Sequence, residues 1–519
     1  MRSGRSLACA LALTLAAGCA TTPLPREHSG PALPPSSKRL FTAALEQINE
    51  RYVRPVQVGA LVELGVAQVL RGDPTLQVQR DGDRLEIRNR EALLVQIGVK
   101  PDGGVAAWAG AAITAIDAAR ARVPVLRELE PGQTHRLFFE GVVKGLDSYS
   151  RYNTPESARE ERAQREGFGG VGIVIDTDAG EVRVVTVMDG SPAARAGLLP
   201  EDRILTIAGE TTQGMVARDV VRRLRGPIGT EIRVRIRREG AAAPVEVGLL
   251  RAHIVPQTVA YRRAGDVAHI RVSGFNPKTT EALVEAVRRA EREIGPRMAG
   301  MVLDLRNNFG GYLDQSIYIA DLFLAEGAIV SMRGRHRTVA QESWARRGDI
   351  GERIPMVVLI NGNSASASEI VAAALQDHNR AVVIGSASFG KGSVQSILPL
   401  PDEGELVLTS ARFHAPSGYA LADLGVLPTI CTSGSRGDAG ALVEQLRAGR
   451  FADQAQASRW RRVATEDVEG RRKLRQSSCP SETAERDADF DLALRLLGDR
   501  SLHALALASG AALATALPR

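Results

Sequence analysis

The sequence predicts a multidomain α/β protein, and three observations carry that reading. At 519 residues the chain is longer than one ordinary hydrophobic core organises, which predicts two to four domains. Apolar residues at 44% and charged residues at 24% lie in the globular range and exclude a disordered or collagen-like chain. Between His253 and Ile430 apolar runs of strand length alternate with stretches of helical period, as in an α/β core.

The elements follow in chain order. Arg2 and Arg5 precede an apolar run over residues 7–17, too short to stay in a bilayer, so residues 1–19 read as an export signal. Ala16-Ala17-Gly18 before Cys19 resembles a bacterial lipobox, which makes Cys19 the lipidated first residue of the mature chain. Ala20 carries no retention signal of the Asp type, so the expected location is the periplasm, anchored to the outer membrane; plain secretion is the alternative. Residues 20–37 are a Pro/Ser-rich tether. In 38–166, Leu40, Phe41, Ala44, Leu45 and Ile48 have helical period, and alternation about Asp81-Gly82 marks a hairpin. This N-terminal helical region therefore carries a β insertion, about 71–130, whose role is open.

Residues 167–252 have mostly period two, with one helix at 214–224, and form a compact β-rich module. There Arg233, Arg235 and Arg237 share one strand face, read as solvated rather than as a phosphate or lipid patch. The core, 253–430, has strands at 268–272, 301–305, 356–360 and 381–384 and helices at 280–294 and 366–376. The extension, 431–519, is polar and Arg-rich with one helix at 487–497; its Ala/Leu-rich end is too short and interrupted to span a membrane.

Charge and cysteine usage narrow the function. A net charge of +6 with 4% aromatic residues gives a nucleic-acid groove little support. Of 66 basic residues only six are lysines, so a lysine retained here is a candidate for chemistry that needs a neutral amine, which arginine cannot supply. Cys9 lies in the signal and Cys19 takes lipid; in an oxidising compartment Cys431 and Cys479 can pair, although sequence leaves their separation open. The eight histidines show no His-x-x-x-His or Cys/His ligand spacing, so no metal is expected.

The most informative stretch is 357–370. A buried strand ends in a Gly/Asn/Ser turn and opens a helix, placing hydroxyls where free N–H groups and the helix dipole favour a developing anion. Ser364, Ser366 and Ser368 are equally suited to capping the helix. One strand later the glycine loop Phe389-Gly390-Lys391-Gly392-Ser393 can return Lys391 toward Ser366. With a free pKa of about 10.4, that lysine needs roughly 3–5 kcal/mol of differential desolvation to act as a base near pH 7–8. A Ser366–His378 pair is disfavoured, because twelve residues of helix separate the two by about 18 Å.

These motifs, in this order, resemble the carboxy-terminal processing peptidases (tail-specific proteases) of the Ser/Lys type, over roughly residues 40–427. The resemblance implies an α/β Ser/Lys protease core with an inserted PDZ domain. It gives Ser366 the nucleophile position and Lys391 the general-base position, and it makes Gln395, expected one helical turn on, the residue that orients the lysine. Asp304–Gly311 resembles the oxyanion turn, implying donors at the Gly311 and Ala367 N–H groups. Gly170-Val171-Gly172-Ile173 resembles the PDZ carboxylate loop, and 191–198 is PDZ-like. Three departures stand out: the 71–130 insertion; Phe309 and Asn363, where the family has Pro or Gly and Gly; and Tyr419 after Ser417-Gly418, where an Arg is usual.

The implied function is a cell-envelope serine endopeptidase that recognises protein C-termini, and its Ser/Lys chemistry needs no cofactor. Its implied partners are proteins with apolar tails, a membrane reached through the lipid anchor, an activating adaptor or self-association, and no nucleic acid. The rival from another class is a catalytically dead PDZ scaffold that binds envelope-protein tails. A cell-wall or lipid hydrolase lacks a carboxylate pair or a Ser/His constellation.

Overall fold

The computed structural model describes residues 32–514 apart from 179, 347–348, 352–353, 435–438 and 450–453. The export signal, Cys19 and tether residues 20–31 lie outside the described residues. Helix Pro35–Arg51 already begins within the segment read as a tether.

The core is a six-stranded sheet in the order Val259–Ala264, Val267–Val272, Gly300–Asp304, Met356–Ile360, Val382–Gly385, Ile430–Cys431. The first pair is antiparallel and the other neighbours are parallel. Side chains alternate between faces along a strand, and parallel strands need cover on both. Leu303, Val358 and Ile360 face helices Thr279–Ile294, Leu313–Leu322 and Ala367–Asp377. Val302, Val357, Leu359 and Ile384 face Leu492, Leu496 and Leu502 of the C-terminal extension.

That second cover corrects the reading of 431–519 as a polar tail with one helix. Its described residues hold helices Ala439–Arg447, Gln454–Arg462, Val468–Ser478, Asp487–Gly498 and Arg500–Ala514. Most of their arginines are exposed, Arg461 and Arg471 being buried, while a few leucines reach the sheet. Cys431, on the last core strand, is disulfide-bonded to Cys479.

A second sheet runs Gln341–Trp344, Ala328–Gly334, Glu405–His414, Ser393–Pro399, with Arg151–Asn153 also on the long strand Glu405–His414. Leu406 and Leu408 of that strand join the N-terminal core, where Phe41 stacks on Phe138 at 3.9 Å between ring centroids. The 71–130 insertion is a three-stranded sheet, Leu76–Asp81, Arg84–Asn89 and Ala92–Gly98, and helix Gly104–Arg122, whose Ala112, Ala115 and Ile116 enter the same core.

The β-rich module is a sheet ordered Val245–Leu250, Glu231–Arg237, Arg203–Ile207, Glu181–Val187, Ile173–Asp178, with helix Ala217–Leu224 alongside. Its arginine strand alternates exposed and buried as expected, and Arg237 pairs with Glu181 at 2.6 Å. The chain enters and leaves the module through one ribbon, Phe168–Gly170 paired with Ala252–Ile254. The preceding helix, Pro155–Glu166, is held to the long strand by Arg162 and Arg165 on the buried Glu405 carboxylate, at 2.8 and 3.1 Å.

Candidate active site

A cleft of about 650 Å³ lies where the C-terminal ends of the core strands meet the second sheet, and Ser366, Ala367, Lys391, Gln395 and Gly311 all line it. The structure thus gathers the five residues picked for chemistry, which lie up to 84 positions apart in sequence.

Strand Met356–Ile360 is buried throughout, and helix Ala367–Asp377 follows a six-residue turn with Ser366 as its N-cap. The three serines separate by geometry. Ser364 Oγ donates to the Leu305 carbonyl at 2.8 Å and Ser368 Oγ to the Asn308 carbonyl at 2.7 Å, both fully buried. They tie the helix start to the neighbouring turn. Ser366 caps the helix and also faces the cleft, with φ at +57°, a conformation that L residues rarely adopt.

Glu369 holds that conformation, and sequence reasoning assigned it no role. Its buried carboxylate takes four hydrogen bonds: Oε2 from the Ser366 and Lys391 N–H groups at 2.7 and 2.9 Å, Oε1 from Ser388 Oγ and the Gly390 N–H at 2.5 and 2.7 Å. Ser388 Oγ accepts from the Val426 N–H, so its own proton goes to Glu369. Burial raises the Glu369 carboxyl's pKa above its ordinary value, and these donors offset part of that rise. With every lone-pair direction already met by a donor, the ionised form fits the geometry. One carboxylate therefore fixes the backbone of both the serine turn and the lysine loop. The Ser-x-x-Glu spacing of a capping box was its sequence signal.

The 304–311 turn, expected to supply the oxyanion donors, is pressed against the helix start. A Cβ on Gly310, where φ is +100°, would sit 2.9 Å from Ser366 Cβ and 3.1 Å from the Ala367 nitrogen. Gly310 N–H donates to Asn308 Oδ1 at 2.9 Å, and Asn308 Nδ2 to the Val272 carbonyl at 2.7 Å. Ala367, as the first helical residue, has no carbonyl four residues back within the helix for its N–H. The two unusual residues fit without crowding. Phe309 is 65% exposed on the cleft rim, and Asn363 Nδ2 donates to Asn307 Oδ1 at 2.9 Å, joining the two turns.

Lys391 lies between two glycines that allow close packing: a Cβ on Gly392 would meet the Ala422 nitrogen at 1.9 Å. Its ammonium lies 5.8 Å from the centroid of the Tyr149 ring. Burial lowers its pKa, Arg151 lowers it further, and Glu369 and Glu161 oppose both. Gln395 is not a helical turn away, because Ser393–Pro399 is a strand. Its Nε2 donates to Thr409 Oγ1 at 2.8 Å, and Thr409 Oγ1 donates to Asp147 Oδ1 at 3.0 Å. The carboxylate can only accept, so the amide orientation is set and Gln395 Oε1 is left buried without a partner among the described residues. His378 caps the far end of the helix, its Nε2 2.7 Å from the Ala328 carbonyl.

In the β-rich module Gly170, Val171, Gly172 and Ile173 line a second groove of about 300 Å³, with Val221 and Leu224 of the facing helix. The Val171 and Gly172 carbonyls accept from the Ala193 and Met188 N–H groups, both at 2.9 Å, which seats the loop on the 188–193 segment. Gly172 has φ at +79°, and a Cβ there would meet Ser191 Cβ at 2.3 Å.

Comparison with known proteins accords with this architecture. The sequence model of peptidase family S41 matches residues 266–432, and that of the PDZ domain matches 183–238. A carboxy-terminal-processing protease of Bartonella bacilliformis is 43% identical over 292 residues, 56% of this chain and 67% of its own. A carboxyl-terminal-processing protease of Synechocystis is 36% identical over 298 residues, 56% of this chain and 69% of its own. The solved photosystem II D1 C-terminal processing protease aligns over 76% of this chain and 92% of its own, at 24% identity and a TM-score of 0.40. The class is a PDZ-containing serine protease. The chain belongs to the carboxy-terminal-processing proteases of peptidase family S41.

Proposed function

We propose that this protein is an exported, lipid-anchored endopeptidase that holds apolar protein C-termini in its PDZ groove and cleaves peptide bonds with a Ser366–Lys391 dyad. Neutral Lys391 takes the hydroxyl proton as Ser366 Oγ attacks the carbonyl carbon. The oxyanion is received by the N–H groups of Gly311 and Ala367. Lys391 returns the proton to the departing amine, leaving an acyl-serine. It then takes a proton from the water that attacks the ester, and returns it as Ser366 leaves. Gln395 positions the amine, for which its unpartnered Oε1 is the waiting acceptor. In the groove the substrate tail adds as a strand beside Ile173–Asp178.

The observation that supports this reading most is the shared cleft. A serine on a helix start faces it together with a lysine whose ammonium burial disfavours, and one carboxylate ties both backbones. Ser366→Ala and Lys391→Ala should each abolish hydrolysis of an unfolded protein with an apolar tail, with circular dichroism like the parent's. Full activity in either refutes the dyad. A fluorescent serine-directed probe separates this reading from an inactive scaffold, since a scaffold takes no label at Ser366. Cys19→Ser should move the protein from the membrane fraction to the soluble one if the lipid anchor is correct.

A further inference from the structure

The S41 match ends at residue 432, yet the chain beyond it touches all three turns that bear the proposed catalytic groups. Behind the serine turn, the Glu482 carbonyl accepts from the Gly362 N–H at 2.7 Å and the Thr483 carbonyl from Asn361 Nδ2 at 2.9 Å. Behind the oxyanion turn, the Glu485 carboxylate accepts from Asn307 Nδ2 at 2.7 Å and from Arg271, and the Arg486 carbonyl accepts from Arg306 Nη1 at 2.9 Å. At the lysine loop, Arg475 Nη1 donates to the carbonyl of Phe389, two residues before Lys391. Buried Arg471 donates to the carbonyls of Ala420 and Ala422, the segment on which Gly392 rests. The disulfide to Cys431 anchors this run at the edge of the core sheet, between helix Val468–Ser478 and residues 480–486.

These contacts are directional and reach backbone atoms of the serine turn and the lysine loop and side chains of the serine and oxyanion turns, so they set where each turn sits. We infer that residues 471–486 form a disulfide-anchored brace whose Arg475 and Glu485 are positioning residues for catalysis, holding the lysine loop and the oxyanion turn in register with the serine. The inference rests on the Ser/Lys reading. It makes the segment beyond the family core part of the machinery rather than only a cover for the sheet.

The test uses the full chain with Arg475→Ala, Glu485→Gln and a Cys431→Ser/Cys479→Ser double variant. A quenched fluorescent peptide reports kcat and KM, a fluorophosphonate probe reports the labelling rate of Ser366, and melting reports stability. Misplacing a catalytic group by about 1 Å costs up to roughly 100-fold, so kcat and labelling rate should fall by roughly 10- to 100-fold while KM changes much less. Arg475→Ala should also move the pH midpoint of kcat/KM, because it frees the lysine loop; Glu485→Gln, which acts on the oxyanion turn, should not. Parental kcat and labelling in both single variants would overturn the brace. If the double variant does not fold, those two single variants, altered at the surface, still decide the matter. Ser366→Ala is run in parallel. Activity there sinks the Ser/Lys reading, whereas an inactive Ser366→Ala beside fully active Arg475→Ala and Glu485→Gln sinks the brace alone.

Discussion

At Ser366 a non-glycine residue keeps φ at +57°, a conformation costing roughly 1–3 kcal/mol that persists only because its surroundings over-determine it. Glu369 is the main constraint. Because all four of its partners donate, Glu369→Gln places an amide NH₂ against donors; the expected loss is about 1–3 kcal/mol of stability, read by urea denaturation, with a fall in kcat. Gly310→Ala forces a side chain onto Ser366 at a strained φ, and the predicted outcome is loss of kcat with a destabilisation of about 1–3 kcal/mol. The lysine yields a signed pH prediction. As the proposed base Lys391 must be neutral to act, and burial lowers its pKa, so kcat/KM should rise with pH around a midpoint below that of free lysine. Arg151 lowers that pKa and Glu161 raises it, so Arg151→Gln should shift the midpoint up and Glu161→Gln down, both shifts shrinking in salt. Midpoints moving together, or not at all at low ionic strength, would count against Lys391 as the base.

Among the elements, the strand, turn and helix of 356–377 were legible because their pattern is local: a continuous apolar run, a Gly/Asn/Ser turn, then helical period. Gln395 shows the limit of such reading. Its spacing from Lys391 suggests one helical turn, but the segment is a strand, since Val394 and Leu398 pair across to Ala411 and Leu406 of Glu405–His414. What orients Gln395, the relay through Thr409 to Asp147, joins residues 262 positions apart, and no local pattern announces it. The PDZ groove gives a prediction at this scale. Val221→Glu puts a charge on the apolar helix face, so KM for a protein with an apolar C-terminus should rise far more than KM for a short peptide without one. Equal effects on both substrates would mean that the groove does not read the tail.

For the whole molecule, the extension beyond residue 432 decides whether the core can exist alone. Val357 and Leu359 face its leucines and are fully buried. A chain ending at Ser433 would expose that face, and the expected result is insoluble protein; a soluble, active truncation would show the second cover to be dispensable. Within the full chain, Leu496→Ala should cost about 2–5 kcal/mol, read from the denaturation midpoint. The signal for this cover lay in the strands, since runs such as Met356–Ile360 are apolar on both faces, whereas the core region's helices supply only one layer. It was hidden by the arginine-rich composition of 431–514, in which a few inward leucines carry the packing. The sequence by itself determined the fold class, the order of the modules and the motif-bearing serine and lysine, because each is written in local periodicity and spacing. Only the tertiary structure decided that these side chains share one cleft, that Glu369 joins their backbones and that the C-terminal segment stands behind all three turns. Those facts depend on which distant surfaces meet, and burial and directional hydrogen bonds across the fold select them.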